Sequence, residues 1–82
     1  MPYISPEDRA RLSAPDTLPE NAGQLNYTLT RIVLAYLGAA PNYQRYNDVL
    51  GVLEAMKLEL YRRRVAPYEE KKIVENGDVE GY

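Results

Sequence analysis

Apolar residues recur every three or four positions over two long stretches of the chain. Between residues 21 and 38 they form one stripe, made by Leu25, Leu29, Ile32, Val33 and Tyr36. Between residues 42 and 65 they form a second stripe, made by Val49, Val52, Leu53, Met56 and Leu60. This spacing is typical of amphipathic helices, and no segment shows the alternation of a strand. The pattern therefore predicts two main helices, over 21–38 and 42–65.

Helix-starting residues precede the first of these stretches. Ser5 followed by Pro6 predicts a short helix within an N-terminal arm over residues 1–20. Asn21, with Gln24 three residues later, forms a capping-box pattern for the first main helix.

The second stretch is bounded in the same way. Gly38 is a natural stop for the first main helix, and Asn42 is a candidate cap for the next one, with a start near Asn47 and Asp48 as the alternative. Pro67 lacks a backbone N–H, so we expect a break or kink before a short helix over 67–76. The remaining residues, 77–82, read as a polar tail.

The helices carry apolar residues on more than one face. The back of the first main helix holds Tyr27 and Leu34, and a second face of the long helix holds Gly51, Ala55 and Leu58. The chain has only 82 residues, and one domain of that size buries only about 60–65% of its unfolded surface. We therefore expect an all-α fold: two main antiparallel helices plus short N- and C-terminal helices, completed by homo-oligomeric packing as a dimer or tetramer.

Composition removes most enzyme classes. The chain has no Cys and no His, which excludes thiol and imidazole nucleophile or base pairs and nearly all zinc sites. It has no paired acidic motif for magnesium and no glycine-rich phosphate loop. We expect no catalytic residue, no metal and no cofactor, and hence a protein that is not an enzyme.

Charge and hydropathy limit the partners. The formal net charge is −2 and the isoelectric point is about 5.0, which disfavours duplex nucleic acid. No segment is long and apolar enough to predict a membrane span, and no signal peptide is recognisable at the N-terminus. A soluble intracellular protein is expected.

The densest chemistry lies between residues 57 and 68. Arg62, Arg63 and Arg64 stand between Tyr61 and Tyr68. Guanidinium groups match phosphate geometry, and tyrosine rings stack on nucleobases, so the pairing suits a small nucleotide. Basic residues also stabilise the C-terminal end of a helix, which is the alternative interpretation.

Several blocks are similar to those of a family of small bacteriophage proteins. They are MPYI at the start, QLNY at 24–27, and GVLEAMKLELYRRRVAPYEEKKIVENGDV at 51–79. The linker between residues 13 and 22 departs from that pattern. The resemblance implies a viral protein in the cytoplasm of an infected bacterium.

Small, helical, oligomeric phage proteins without histidine resemble anti-defence sponges. By that analogy the chain binds a cyclic oligonucleotide or a cyclic ADP-ribose signal without cleaving it, and so silences CBASS- or Thoeris-type immunity. The alternative is a protein-interaction module, either a virion accessory part or an inhibitor that docks on a host protein.

The resemblance assigns roles within two of these blocks. In the YRR and APY blocks, Arg62 and Arg63 are the expected phosphate ligands, and Tyr61 and Tyr68 the expected stacking platforms. Tyr61 at the edge of a core and Arg62 in an intersubunit ion pair are the alternatives.

The N-terminal half is expected to add further contacts. In the LNY block, Asn26 and Tyr27 would supply polar or stacking contacts, and Tyr3 would close over the ligand. For Tyr27, plain packing between subunits is the alternative.

Overall fold

The computed structural model describes residues 4–14 and 17–82, and this part of the chain is helical and contains no strand. Its elements are α1 (Pro6–Leu12), α2 (Ala22–Leu37), α3 (Tyr43–Leu60), a π-helical segment (Tyr61–Val65) and α4 (Ala66–Asn76). The all-α prediction is confirmed. The antiparallel arrangement and the packing between copies stay predictions. The chain divides into two compact units, Met1–Arg45 and Tyr46–Tyr82.

Helices α1 and α2 begin after the predicted capping residues, whose side chains accept hydrogen bonds from the first turn. The backbone N–H of Asp8 donates to Oγ of Ser5 over 3.1 Å, and that of Gln24 donates to Oδ1 of Asn21 over 2.9 Å. Helix α2 ends at Gly38, whose φ of 73° is a conformation that favours glycine.

The first turn of α3 is tied to the end of α2 within the same unit. Asn42 accepts a hydrogen bond from the backbone N–H of Arg45 over 2.9 Å, as the cap prediction requires. The Arg45 guanidinium then reaches back, and its Nη2 donates to the carbonyl of Tyr36 over 2.7 Å. The same guanidinium lies 4.3 Å from the centre of the Tyr36 ring, a cation–π contact.

Pro67 interrupts the second long helix without ending the helical run. The helical run continues from α3 through the π-helical segment into α4, so the regular α-helix is interrupted just before Pro67 and the short helix predicted over 67–76 is present as Ala66–Asn76. The N–H of Ala66 donates to the carbonyl of Tyr61, five residues back. The wider turn gives the ring of Pro67 space beside the preceding carbonyls, which a regular α-helix would not provide.

Very little apolar surface is buried. Within the described residues, Leu12 is the one buried apolar side chain, at 9% exposure. Large apolar side chains remain exposed on α2, on α3 and on α4, among them Ile32, Leu50, Leu58 and Val74. Most of the large apolar side chains in the described part of the chain therefore lie at the surface.

A polar residue occupies the centre of the first unit. Gln24 is 4% exposed, and its Nε2 donates to Oδ2 of Asp8 over 2.9 Å. Its Oε1 accepts from the backbone N–H of Glu20 over 2.8 Å and from the guanidinium of Arg11. The capping box is therefore half formed: the backbone N–H of Gln24 donates the predicted hydrogen bond to Asn21, but the Gln24 side chain bonds to α1 instead of the cap.

Candidate functional site

The arginines predicted as phosphate ligands lie on the π-helical segment. Nη2 of Arg62 lies 3.0 Å from Oε2 of Glu59, and Nη1 of Arg63 lies 3.5 Å from Oε1 of the same residue. All three side chains are largely exposed to solvent. Arg64 makes no ion pair or hydrogen bond with any residue in the described ranges. The Glu59 carboxylate therefore pairs with two guanidinium groups, and that of Arg64 is available to a ligand.

Tyr61 is engaged by a carboxylate. Its hydroxyl donates a hydrogen bond to Oε1 of Glu69, in the first turn of α4. That hydrogen bond, together with the negative charge of Glu69, raises the pKa of the Tyr61 phenol above its ordinary value. The hydroxyl is fixed by this contact while the side chain remains half exposed.

Tyr68 lies in the same turn of α4 as Glu69. The ammonium group of Lys72 lies 5.5 Å from the centre of the Tyr68 ring, within the range of a cation–π contact. The ring is exposed. A nucleobase that stacked on that face of the ring would displace the ammonium group of Lys72.

A groove runs along the helical surface beside the arginines. It is lined by Met56, Glu59, Leu60, Arg63 and Arg64 and has a volume of about 460 Å³. Its wall joins apolar side chains to guanidinium groups and one carboxylate, so it can take an occupant that is partly apolar and partly charged.

The predicted ligand residues of the LNY block belong to the first unit. Oδ1 of Asn26 accepts a hydrogen bond from Oγ1 of Thr30 over 3.0 Å. The ring of Tyr27 lies under the guanidinium of Arg31, with 5.9 Å between the guanidinium carbon and the ring centre. Tyr3, the expected lid, lies outside the described residues. The predicted site residues are thus divided between the two units.

The sequence analysis did not predict a second groove, in the first unit. It has a volume of about 340 Å³, and its lining includes Leu12, Ser13, Thr28 and Arg31. Nη1 of Arg31 donates to Oγ of Ser13 over 3.1 Å. The hydroxyl of Thr28 is buried and finds no hydrogen-bond partner within the described ranges. Arg31 lies on the same face of α2 as Tyr27, and this pair is the sequence feature that could have indicated the surface.

The sequence model of one family, described as Domain of unknown function (DUF6899), matches residues 1–79. The chain belongs to this family. No curated protein and no solved structure matched it. Because the family description names no activity, membership alone assigns no function to the arginine segment or to either groove.

Two further findings concern membranes and metals. In the part of the chain that the structure describes, no helix combines the length and apolarity needed to cross a bilayer. Within the same residues, no three acidic side chains come close enough together to hold a metal ion.

Proposed function

We propose that the protein is a non-catalytic binding protein that sequesters a cyclic nucleotide immune signal in the cytoplasm of an infected bacterium. The observation that supports this is the run of Arg62, Arg63 and Arg64 on an exposed helical surface, with tyrosine rings at both ends. Phage origin rests on the sequence blocks that resemble small phage proteins. The ligand class follows from the chemistry of the segment.

Phosphate can displace the existing partners of these arginines. Exposed ion pairs such as those of Glu59 with Arg62 and Arg63 contribute only about 0–1 kcal/mol each. A phosphate diester that receives two parallel N–H donors from one guanidinium forms a stronger, charge-assisted contact. Arg64 can bind without breaking an ion pair in the described part of the chain.

The tyrosines suit the base of the same ligand. Tyr61 and Tyr68 are exposed and flank the arginines along the helical run. Stacking of a base on an aromatic ring contributes about 1–3 kcal/mol and tolerates any base. One ligand with phosphates and bases close together would contact both residue types.

Sequestration requires no chemical step. The chain lacks histidine and cysteine, and tight stoichiometric binding by itself lowers the free concentration of a messenger. Assembly of several copies would cover the exposed apolar faces and multiply the sites per particle.

Calorimetry tests this proposal directly. Purified protein is titrated with cyclic dinucleotides, cyclic trinucleotides and cyclic ADP-ribose isomers. We expect saturable binding of at least one compound, and recovery of that compound unchanged after heat denaturation. Lack of heat across the whole panel would contradict the proposal, and a cleaved product would contradict its non-catalytic part.

Matched variants identify the ligand residues. Arg62→Ala and Arg63→Ala should weaken binding at least tenfold while the particle mass stays unchanged. Arg9→Ala, which removes the same charge from α1, is the control and should bind as the parent does. Equal losses in all three variants would indicate a general charge effect, which would contradict the assignment.

A protein-interaction module is the second candidate, and the exposed apolar side chains of α2 and α3 favour it. In that case the chain docks on a virion or on a host protein through those faces. Quantitative mass spectrometry of purified virions should then find a fixed copy number per particle, together with no response to the nucleotide panel.

A further inference from the structure

The groove of the first unit combines apolar walls with a cation and hydroxyl groups. Helix α2 contributes Thr28, Arg31 and Ile32 to its lining, and Leu12 and Thr17 contribute from the end of α1 and the segment that follows. Its volume of about 340 Å³ lies within the range of small-molecule sites, about 300–1,000 Å³. The groove shares no residue with the arginine segment of the second unit.

The hydroxyl of Thr28 lacks a partner at this groove. It is buried and makes no hydrogen bond within residues 4–14 and 17–82. Threonine in a helix can donate to the carbonyl three or four residues earlier, and Thr28 does not. A buried hydroxyl without a partner lowers the stability of the fold, and such groups are rare in native structures. A ligand that accepted a hydrogen bond from Thr28 would remove this cost.

The charge of Arg31 is not neutralised by any carboxylate of the described residues. Its Nη1 donates to Oγ of Ser13 over 3.1 Å, and that hydroxyl in turn donates to the carbonyl of Arg9 over 2.9 Å. Ser13 is a neutral partner, so the guanidinium keeps its full charge and further N–H groups for an anion.

Thr28 and Arg31 are neighbours on one face of α2, because they are three residues apart in a regular helix. The Thr28 hydroxyl is buried in the free chain, so it must rotate to reach a ligand. Threonine in helices populates two rotamers. Rotation between them moves the hydroxyl out of its buried position, and the side chain that carries it already lines the groove.

We propose that this groove binds a small organic monocarboxylate with a short apolar tail. One guanidinium matches one negative charge, and the carboxylate oxygens can accept from Arg31 and from the Thr28 hydroxyl together. A phosphate monoester carries about two negative charges at neutral pH, which a single arginine does not balance. The apolar tail lies against Leu12 and Ile32. The site does not depend on the proposed function.

Titration with butyrate and hexanoate, followed by calorimetry and by methyl NMR, tests the site. We expect saturable binding that shifts the methyl signals of Ile32. Hexanamide, which has the same shape without the charge, should bind at least about tenfold more weakly. Equal affinity for hexanamide would overturn the proposal, and so would tighter binding of methyl phosphate. Lack of saturable binding by both acids would leave water as the partner of Thr28 and overturn it too.

Charge variants locate the carboxylate. Arg31→Gln should weaken hexanoate binding at least about tenfold. Arg9→Gln, which removes the same charge from α1, is the matched control and should bind as the parent does. Arg62→Ala should also bind as the parent does. A loss in Arg62→Ala equal to that in Arg31→Gln would place the acid at the arginine segment and overturn the proposal.

Thr28 variants separate a binding role from a structural one. Thr28→Val replaces the hydroxyl with a methyl group of similar size. It should raise the midpoint of thermal unfolding of the free chain and yet weaken hexanoate binding at least about threefold. Thr28→Ser keeps the hydroxyl and should bind within about twofold of the parent. Parent-like binding by Thr28→Val, or a lower unfolding midpoint, would overturn the proposal.

Asp16, which lies outside the described residues, provides a last control. Asp16→Asn should leave hexanoate binding within about twofold of the parent. Binding that appeared only in Asp16→Asn would show that a carboxylate of the chain itself occupies the groove, and would overturn the proposal.

Discussion

The hydroxyl of Tyr61 donates a hydrogen bond to the carboxylate of Glu69, eight residues further along the same helical run. In a regular α-helix residues eight apart lie about 80° apart around the axis. The π-helical segment Tyr61–Val65 absorbs one residue, which brings the two side chains to within about 20° of each other. The wide turn beside Pro67 and this hydrogen bond therefore belong to one local arrangement.

Glu69→Gln should lower the pKa of Tyr61 toward its ordinary value, because it weakens the hydrogen bond that the phenol donates and removes the charge that opposes the phenolate. The pKa of Tyr61 is higher in the folded chain than in the unfolded chain. The contribution of the Tyr61–Glu69 hydrogen bond to folding stability is therefore fully present below the ordinary tyrosine pKa of about 10, and it is lost as the pH rises through the raised pKa. Carbon-13 NMR titration of labelled tyrosine measures the shift. Glu70→Gln, the neighbouring carboxylate, is the control and should leave Tyr61 unchanged.

Pro67→Ala should convert the π-helical segment to α-helix. Proline within a helix costs about 3 kcal/mol, of which the wide turn avoids part, so we expect the free energy of unfolding to rise by roughly 1 kcal/mol. Conversion to a regular α-helical turn would also rotate Glu69 away from Tyr61, so the pKa of Tyr61 should fall. Urea unfolding and the tyrosine titration measure the two effects. An unchanged pKa would show that the hydrogen bond does not depend on the wide turn.

Gln24→Leu should destabilise the first unit. Gln24 is nearly fully buried and bonds to Asp8, Arg11 and the N–H of Glu20. Loss of these partners leaves part-buried polar groups unsatisfied, which costs about 1–3 kcal/mol. Urea unfolding measures the change. Asn26→Ala, whose exposed side chain bonds only to Thr30 among the described residues, should change stability by much less.

Gly38→Ala and Gly51→Ala should act in opposite directions. The φ of Gly38 is +73°, where a side chain costs about 1–3 kcal/mol. Gly51 is helical and an added Cβ would meet no atom within 4 Å, so alanine there should stabilise by about 1 kcal/mol. Thermal unfolding measures both. If Gly51→Ala instead weakened self-association, the face with Gly51 and Ala55 would be a contact between copies.

The sequence specifies some contacts of the predicted site residues and not others. The sequence located the arginine segment because three consecutive guanidinium groups between tyrosines form a local pattern. Helical spacing of three and four residues also predicts that Glu59 pairs with Arg62 and Arg63, and the structure confirms both pairs. The sequence did not predict that Glu69 accepts a hydrogen bond from Tyr61, eight residues earlier, because that contact depends on the wide turn before Pro67.

The sequence alone determined the beginnings of α1, α2 and α3, because Ser5, Asn21 and Asn42 each bond to a backbone N–H three residues away. Such contacts need only the local backbone. Only the tertiary structure decided that Gln24 meets Asp8, sixteen residues earlier. That contact depends on the path of the chain between two helices, which no local pattern specifies.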